Sequence, residues 1–322
     1  MKNLNPGWVM LRSNWIGLHL VWLLVVSGCG ERPPPPEESA AQPEITIEFH
    51  SYSEIQELFA ELNYTPESWA EGVREVPRLY MTNIPSRWRS TTAAEVSVVA
   101  KKALFFRLMS PGVLKINELI EIDRTRLIEL LAHRNSLAPE DAQWLAALAQ
   151  TYRVPTAEPL TQASFDELLV RVDIIPPSLV LAQSAEESGW GTSRFADLGN
   201  ALFGQWTWDE GIAPLERREG KGNYSIAKFE TPLDSIRAYM LNLNTHRAYR
   251  ELRARRREMR LRHERPTGWE LARTLTSYSE RGEAYVETLH AIMRVNKLAD
   301  VDEAYLAEMA PIMLVAVGEG SQ

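Results

Sequence analysis

Two adjacent carboxylates, Glu186 and Glu187, end an apolar stretch and are followed at once by Gly189, Trp190 and Gly191. A carboxylate at the last turn of a helix meets the negative end of the helix dipole, which raises its affinity for a proton. An acid that keeps its proton toward neutral pH suits cleavage of a glycosidic bond. That reaction needs a donor to the leaving oxygen, usually with a second acid that activates water or stabilises the oxocarbenium-like transition state. Directly downstream, Asn200-Ala201-Leu202-Phe203-Gly204-Gln205-Trp206-Thr207-Trp208 supplies aromatic surface on which the apolar face of a sugar ring could stack. Packing inside a core or lobe is the competing use of Trp206 and Trp208.

Other chemistries find no support. The six histidines form no HExxH and no paired spacing, and GxxxxGK[ST], GxGxxG and GxSxG are absent. No metal or organic cofactor is implied. The formal charge of −8 argues against a nucleic-acid partner. A carboxylate enzyme or a binding module remains.

The elements that must position these residues are mostly helices. Pro176-Pro177-Ser178-Leu179-Val180-Leu181 reads as a helix start with a proline tolerated in the first turn, and the helix should stop at Gly189. Thr65-Pro66-Glu67 and Thr231-Pro232-Leu233-Asp234 open two more helices, the latter with Ile236, Met240 and Leu243 on one face. Ser164 to Glu167 and Thr267 to Glu270 read as capping boxes. Ile212–Arg218 and Tyr224–Phe229 read as the two strands of a β-hairpin. The expected architecture is therefore mainly α with one small β-lobe.

The first residues have a different character. Lys2 and Arg12 precede an apolar run from Trp15 to Val26, and Val26-Ser27-Gly28-Cys29 follows. A basic start, a short apolar run and small residues mark a secretory signal. Small residues before the chain's single cysteine resemble the bacterial lipoprotein signal, which implies lipidation of Cys29 and a membrane anchor. Gly30 follows where aspartate would mark inner-membrane retention, so the resemblance favours the outer membrane, facing the periplasm. Four prolines and several acids over 30–44 read as an extended tether. The remaining boundaries fall at 45–135, a helical extension packed on the catalytic body; 136–310, the body itself; and 311–322, a C-terminal tail.

"LAQSAEESGWGTSRFA", "NALFGQW", "KFETPLDSIRAYMLNLNTH" and "YSERG" together resemble the glucosaminidase family of peptidoglycan hydrolases (glycoside hydrolase family 73), and most closely its Bax-protein branch. "VPRLYMTNIPSRW" and "KKALFFRLMSPGVLKINELI" extend the likeness upstream, so that it spans about Val76 to Arg294. The resemblance implies a lysozyme-like helical fold and hydrolysis of a β-1,4 N-acetylglucosaminyl bond in peptidoglycan glycan strands. It makes Glu187 the general acid and Glu186 a solvated or tuning neighbour. It places the family's site tyrosine at Tyr278, and a second acid at Glu216 or, in competition, Glu280. Trp190, Asn200, Phe203 and Trp206 are then the sugar-binding candidates. The sequence departs from the family at Ala201, where asparagine is usual.

Asn117 and Glu118 could buttress the site or lie on a helix surface. The segment Arg247–Arg265 carries nine arginines, which read either as a solvated helix face paired with nearby glutamates or as a contact for anionic lipid or acidic peptidoglycan stems. A non-catalytic glycan-binding lipoprotein, and an enzyme cutting the other glycosidic bond as a muramidase or lytic transglycosylase, are the alternatives.

Overall fold

The computed structural model describes residues 44–155, 161–216 and 222–317. The expected signal, Cys29 and nearly all of the tether lie outside them. In chain order the elements begin with β1 (Ile45–Phe49), α1 (Tyr52–Glu61), α2 (Pro66–Ala70), β2 (Glu75–Val76), β3 (Leu79–Met81), α3 (Ala93–Glu95) and α4 (Val98–Ala132). Next come α5 (Pro139–Thr151), α6 (Gln162–Arg171), α7 (Pro177–Ser188), α8 (Arg194–Gly199), β4 (Trp206–Thr207) and β5 (Ser225–Ile226). The chain continues through α9 (Pro232–Thr245), α10 (Arg250–Leu261), α11 (Gly268–Ala272), α12 (Glu283–Val295), β6 (Tyr305–Leu306) and β7 (Ile312–Ala316). No helix among the described residues is long and apolar enough to cross a membrane.

The long helix α4 passes against α7 and α9, so the 45–135 segment supplies part of the scaffold on which the site is built. Pro111 lies inside α4 and has no N–H to give the carbonyl of Arg107. The hydroxyl of Tyr64 donates to that carbonyl instead, at 3.3 Å. The neighbouring Gly112 has a packing role: a Cβ there would stand 3.1 Å from Cδ1 of Ile236 in α9.

The segment 311–322, expected as a tail, contains in its described part the central strand of a parallel sheet ordered β1-β7-β3. Ile312 pairs with both Ile45 and Leu79, and Ile312 and Leu314 are buried. An apolar run of five residues next to the terminus is thus a stitch between the two ends of the described chain.

The β-lobe differs from the expected hairpin. Its first strand is Trp206–Thr207, antiparallel to β5, while Ile212 contributes only an isolated bridge to Ile226. The reason is local. Ile212 and Ile226 exchange both backbone hydrogen bonds, so the next bonded position on that strand is residue 214. Proline there has no N–H to donate, and the ladder ends.

Cap signals hold where both partners are free. Thr231 and Asp234 form a reciprocal capping box on α9, and Ile236, Met240 and Leu243 are buried as the pattern requires. Ser164 is not a cap: α6 starts a turn earlier at Thr161, whose hydroxyl accepts from the Ser164 N–H. Thr267 accepts from the Glu270 N–H, but the Glu270 carboxylate is drawn to Arg255 instead of back to the cap.

Neither reading of the arginine-rich segment covers α10 fully. Arg255 and Arg262 pair with Glu258 at the surface. Arg253 and Arg256 are buried. Arg253 donates to the carbonyls of Leu243 and His246 at the end of α9. Arg256 donates to the carbonyls of Val170, Asp173 and Ile174 and to Asn244. These arginines satisfy helix C-termini that would otherwise be orphaned in the interior.

Gly268 opens α11 where it meets α7. A Cβ there would stand 2.1 Å from Ser178 Oγ and 2.5 Å from the Leu179 nitrogen. Backbone cannot yield as a side-chain tip can. Gly268→Ala is therefore expected to destabilise the fold by about 1–3 kcal/mol, read as a lowered urea midpoint at unchanged m-value.

Candidate active site

The site is built on α7, which is buried along nearly its whole length. Its N-terminal cap, Pro176, offers no capping side chain. Asp302 substitutes from across the fold, accepting from the Ser178 N–H at 2.8 Å, the Ser178 hydroxyl at 2.7 Å and the Gly268 N–H at 3.2 Å. One residue before the cap, Asn117 of α4 grips the Ile175 backbone on both sides, donating to its carbonyl and accepting from its N–H. Asn117 is thus a buttress of the helix that carries the acid. Glu118 faces elsewhere, in a paired contact with Arg78 at 2.6 and 2.8 Å.

The other end of α7 stops where the sequence says it should. Gly189 sits at φ +58°, and Trp190 and Gly191 also have positive φ. Three successive residues in this region turn the chain sharply away from the helix. The turn is held by the Trp190 N–H bonding to the Ala185 carbonyl, by the Gly191 N–H bonding to Ser188 Oγ, and by the Trp88 indole donating to the Trp190 carbonyl at 2.9 Å. Glycine suits position 191, where φ is +76° and a Cβ would stand a tight 3.3 Å from the Trp88 indole nitrogen.

Glu187 lies on this rigid end, partly buried. The Tyr285 hydroxyl of α12 donates to its Oε1 at 2.7 Å. The Tyr278 ring stacks on the Tyr285 ring, with centroids 5.3 Å apart and planes within 9°. Tyr249 lies beyond Tyr278 at 6.0 Å. Burial against these elements pushes the Glu187 carboxyl above the ordinary carboxylate range; the Tyr285 hydrogen bond pulls it back, Glu186 adds to the rise and Arg281 opposes it. Among these, burial is the main cause. Glu186 is bound to Arg281 at 2.6 Å, which leaves Glu187 as the member of the pair suited to hold a proton.

The other expected residues divide. Tyr278 stands beside Glu187, and burial together with the Glu187 charge holds its hydroxyl well above the usual phenol range, so it is neutral. Phe203 is buried and stacked on Tyr239 at 3.8 Å; it is core packing, not a sugar platform. Asn200 is also buried: its side chain accepts from the Ile84 N–H and donates to the carbonyls of Phe229 and Glu230. Its amide is spent tying α8 to the β-lobe. Ala201 packs in a small apolar cluster with Tyr224 and Ile226. Trp190 is half-buried beneath the Lys102 ammonium, 4.7 Å from the ring centroid. Trp206 is 36% exposed and stacked on Tyr224, and Trp208 is 68% exposed, so the lobe carries exposed aromatic surface. Glu216 and Glu280 are both exposed, and the charges that act on the Glu187 proton are those of Glu186 and Arg281.

Tyr285, Tyr249, Tyr239 and Gln183 are the site residues the sequence did not single out. Gln183 was within reach of pattern reasoning, since it precedes Glu187 by four residues and so shares its helix face. Tyr285 follows Tyr278 by seven residues across a turn, a spacing with no helical meaning.

Residues 162–298, from α6 through α12, match the family model described as Glucosaminidase: Mannosyl-glycoprotein endo-beta-N-acetylglucosaminidase. The chain is 33% identical over 197 residues to Protein bax of Escherichia coli (strain K12), a match covering 61% of this chain and 70% of that protein. No solved structure matches. The matched span contains Glu187, the tyrosines around it and the β-lobe, on a mainly helical, lysozyme-like body. By these matches the chain belongs to the glucosaminidase family of glycoside hydrolases, on its Bax-protein branch.

Proposed function

We propose that the protein cleaves the β-1,4 N-acetylglucosaminyl bond of peptidoglycan, with Glu187 as general acid. The observation that carries this reading is the state of one carboxyl. Glu187 is partly buried, is raised in pKa chiefly by that burial, and is fixed at one oxygen by Tyr285. A group of this kind can give its proton to a glycosidic oxygen and then stand as a carboxylate.

Both candidate second acids, Glu216 and Glu280, are exposed, and the reading assigns the remaining role to the substrate's own N-acetyl group. Its carbonyl oxygen attacks C1 while Glu187 protonates the leaving oxygen and the C1–O bond breaks. Water then opens the cyclic intermediate and yields its proton to the Glu187 carboxylate, restoring the acid. Two displacements at C1 retain its configuration. Trp206 and Trp208, both exposed on the β-lobe, offer aromatic faces for sugar rings. Purified sacculi incubated with the protein are expected to release soluble glycan fragments. Sedimentation of the protein with sacculi and no release would instead make it a glycan-binding scaffold.

The same proposal places the protein outside the cytoplasm, on a lipid at Cys29, with the outer membrane favoured. Intact-mass analysis of the mature protein is expected to show a diacylglyceryl-modified N-terminal Cys29. Cys29→Ser is expected to leave an unmodified precursor or a soluble form. An unmodified Cys29 in mature protein would remove the anchor from the account.

A further inference from the structure

Glu187 is the last member of a directed chain of hydrogen bonds. The Tyr239 hydroxyl of α9 donates to Gln183 Oε1. Gln183 Nε2 donates to the Tyr285 hydroxyl oxygen at 2.9 Å. The Tyr285 hydroxyl donates to Glu187 Oε1 at 2.7 Å. Gln183 is completely buried, and Tyr239 and Tyr285 nearly so. The three residues come from α7, α9 and α12, so the chain crosses the centre of the body.

Its direction is fixed by counting hydrogens. A phenol has one hydrogen to give. Gln183 presents its NH₂ to Tyr285, and an NH₂ cannot accept, so the Tyr285 hydrogen has one destination, Glu187 Oε1. Reversing the amide would turn NH₂ toward Tyr239 and strip the Tyr239 hydrogen of its acceptor in the interior, which is costly. With Oε1 receiving the Tyr285 hydrogen, the acid form is favoured with its proton on Oε2, because the carbonyl oxygen of a carboxylic acid is a better acceptor than its hydroxyl oxygen. Oε2 has no hydrogen-bond partner among the described residues.

We infer that Tyr239, Gln183 and Tyr285 are positioning residues that confine the Glu187 proton to Oε2, the oxygen left open to substrate. The inference rests on Glu187 being the general acid. The other titratable groups around Glu187 are Glu186 on α7, Tyr249 after α9, and Tyr278 and Arg281 in the turn before α12. Glu186 and Arg281 are bound to each other, and Asp302 is committed to the far end of α7.

The test uses Gln183→Met, which keeps an unbranched side chain of similar volume, and Tyr239→Phe, which removes one oxygen and leaves the ring on Phe203. In Tyr239→Phe the Gln183 amide is free to turn its oxygen to Tyr285, which can then donate there and accept from a protonated Glu187; in Gln183→Met the amide N–H no longer occupies the Tyr285 oxygen, which weakens Tyr285 as a donor to the carboxylate and opens its oxygen to the acid proton. The proton then settles on Oε1, pointing into the protein. The pKa of Glu187 rises, so the basic limb of the kcat profile moves to higher pH, while kcat falls by about 10- to 100-fold because the proton faces the wrong way. KM on a chitin-type oligosaccharide is expected to stay within about twofold. A variant that merely loosened the core would lower kcat without moving the limb upward. NMR titration of the Glu187 carboxyl, assigned by its loss in Glu187→Gln, reads the same shift without any hydrolysis. A folded Gln183→Met with unchanged Glu187 titration overturns the inference; if that variant does not fold, an unchanged titration in Tyr239→Phe overturns it. Full activity of Glu187→Gln would instead remove the acid assignment, while the NMR titration would still report on the chain.

Discussion

Glu187→Gln is expected to abolish peptidoglycan hydrolysis while raising the thermal stability of the protein at neutral pH. The amide keeps the volume of the side chain and can still accept from Tyr285, but it has no proton to deliver. General-acid assistance is worth about 10²–10⁴ in rate, so the loss should reach the floor of a sacculus-turbidity assay. The stability gain follows from the direction of the Glu187 shift. Its carboxyl is raised above the ordinary range by burial, so the folded state holds the proton more tightly than the unfolded chain does. That advantage is fully present below the ordinary carboxylate pKa and is lost as pH rises through the raised value. Above it, wild type carries an ionised, partly desolvated carboxylate that glutamine does not. The difference in Tm between variant and wild type should therefore be small near pH 4 and open toward pH 7. Near wild-type activity in this variant, with Glu186→Gln inactive, would reassign the acid.

Asp173→Asn is expected to cost about 3–5 kcal/mol of stability, without touching the chemistry directly. Asp173 is buried and faces three arginines, Arg260 at 2.8 Å, Arg256 at 3.6 Å and Arg124 at 3.8 Å. Burial opposes its charge, yet the arginines outweigh burial and hold its pKa below the ordinary value. Arg256 is pushed down to about 10 by burial and so stays charged at neutral pH. Removing the one carboxylate leaves that guanidinium buried with carbonyls but no counter-charge. Because the Asp173 pKa is depressed, its contribution is present above the ordinary carboxylate value and disappears as pH falls through the lowered one. Wild type should thus lose stability in acid faster than the variant does. Urea unfolding at pH 7 and at pH 3 measures both effects, and a loss below about 1 kcal/mol at pH 7 would show that the cluster is neutral to stability.

What could be read from the sequence was what short-range chemistry decides. The limits of α7 follow from Pro177 at its start and Gly189 at its end, and the acid at its last turn came with them. The capping box at Thr231 held for the same reason. Pairing across distance was hidden. β7 is a five-residue apolar run whose partners lie more than 200 residues away, so it read as a tail. The first strand of the lobe was misplaced because its partner set the register, although Pro214 already forbade a longer ladder. Arginines at 253 and 256 read as surface charge, since nothing local says that helix carbonyls need them. Phe203 and Asn200 sit in the motif that points to the site, yet one packs the core and the other binds backbone. Adjacency in sequence to Glu187 was a poor guide to adjacency in space. Gln183 and Tyr285, which touch the acid or its partner, were the residues passed over.

The most direct test of the central claim is the chemistry of the new glycan ends. Sacculi digested by the full-length protein are reduced with borohydride, hydrolysed and analysed by mass spectrometry. The account predicts new N-acetylglucosaminitol, absent when Glu187→Gln replaces wild type. New N-acetylmuramitol or 1,6-anhydromuramyl ends would contradict it, by showing that the enzyme cuts the other bond.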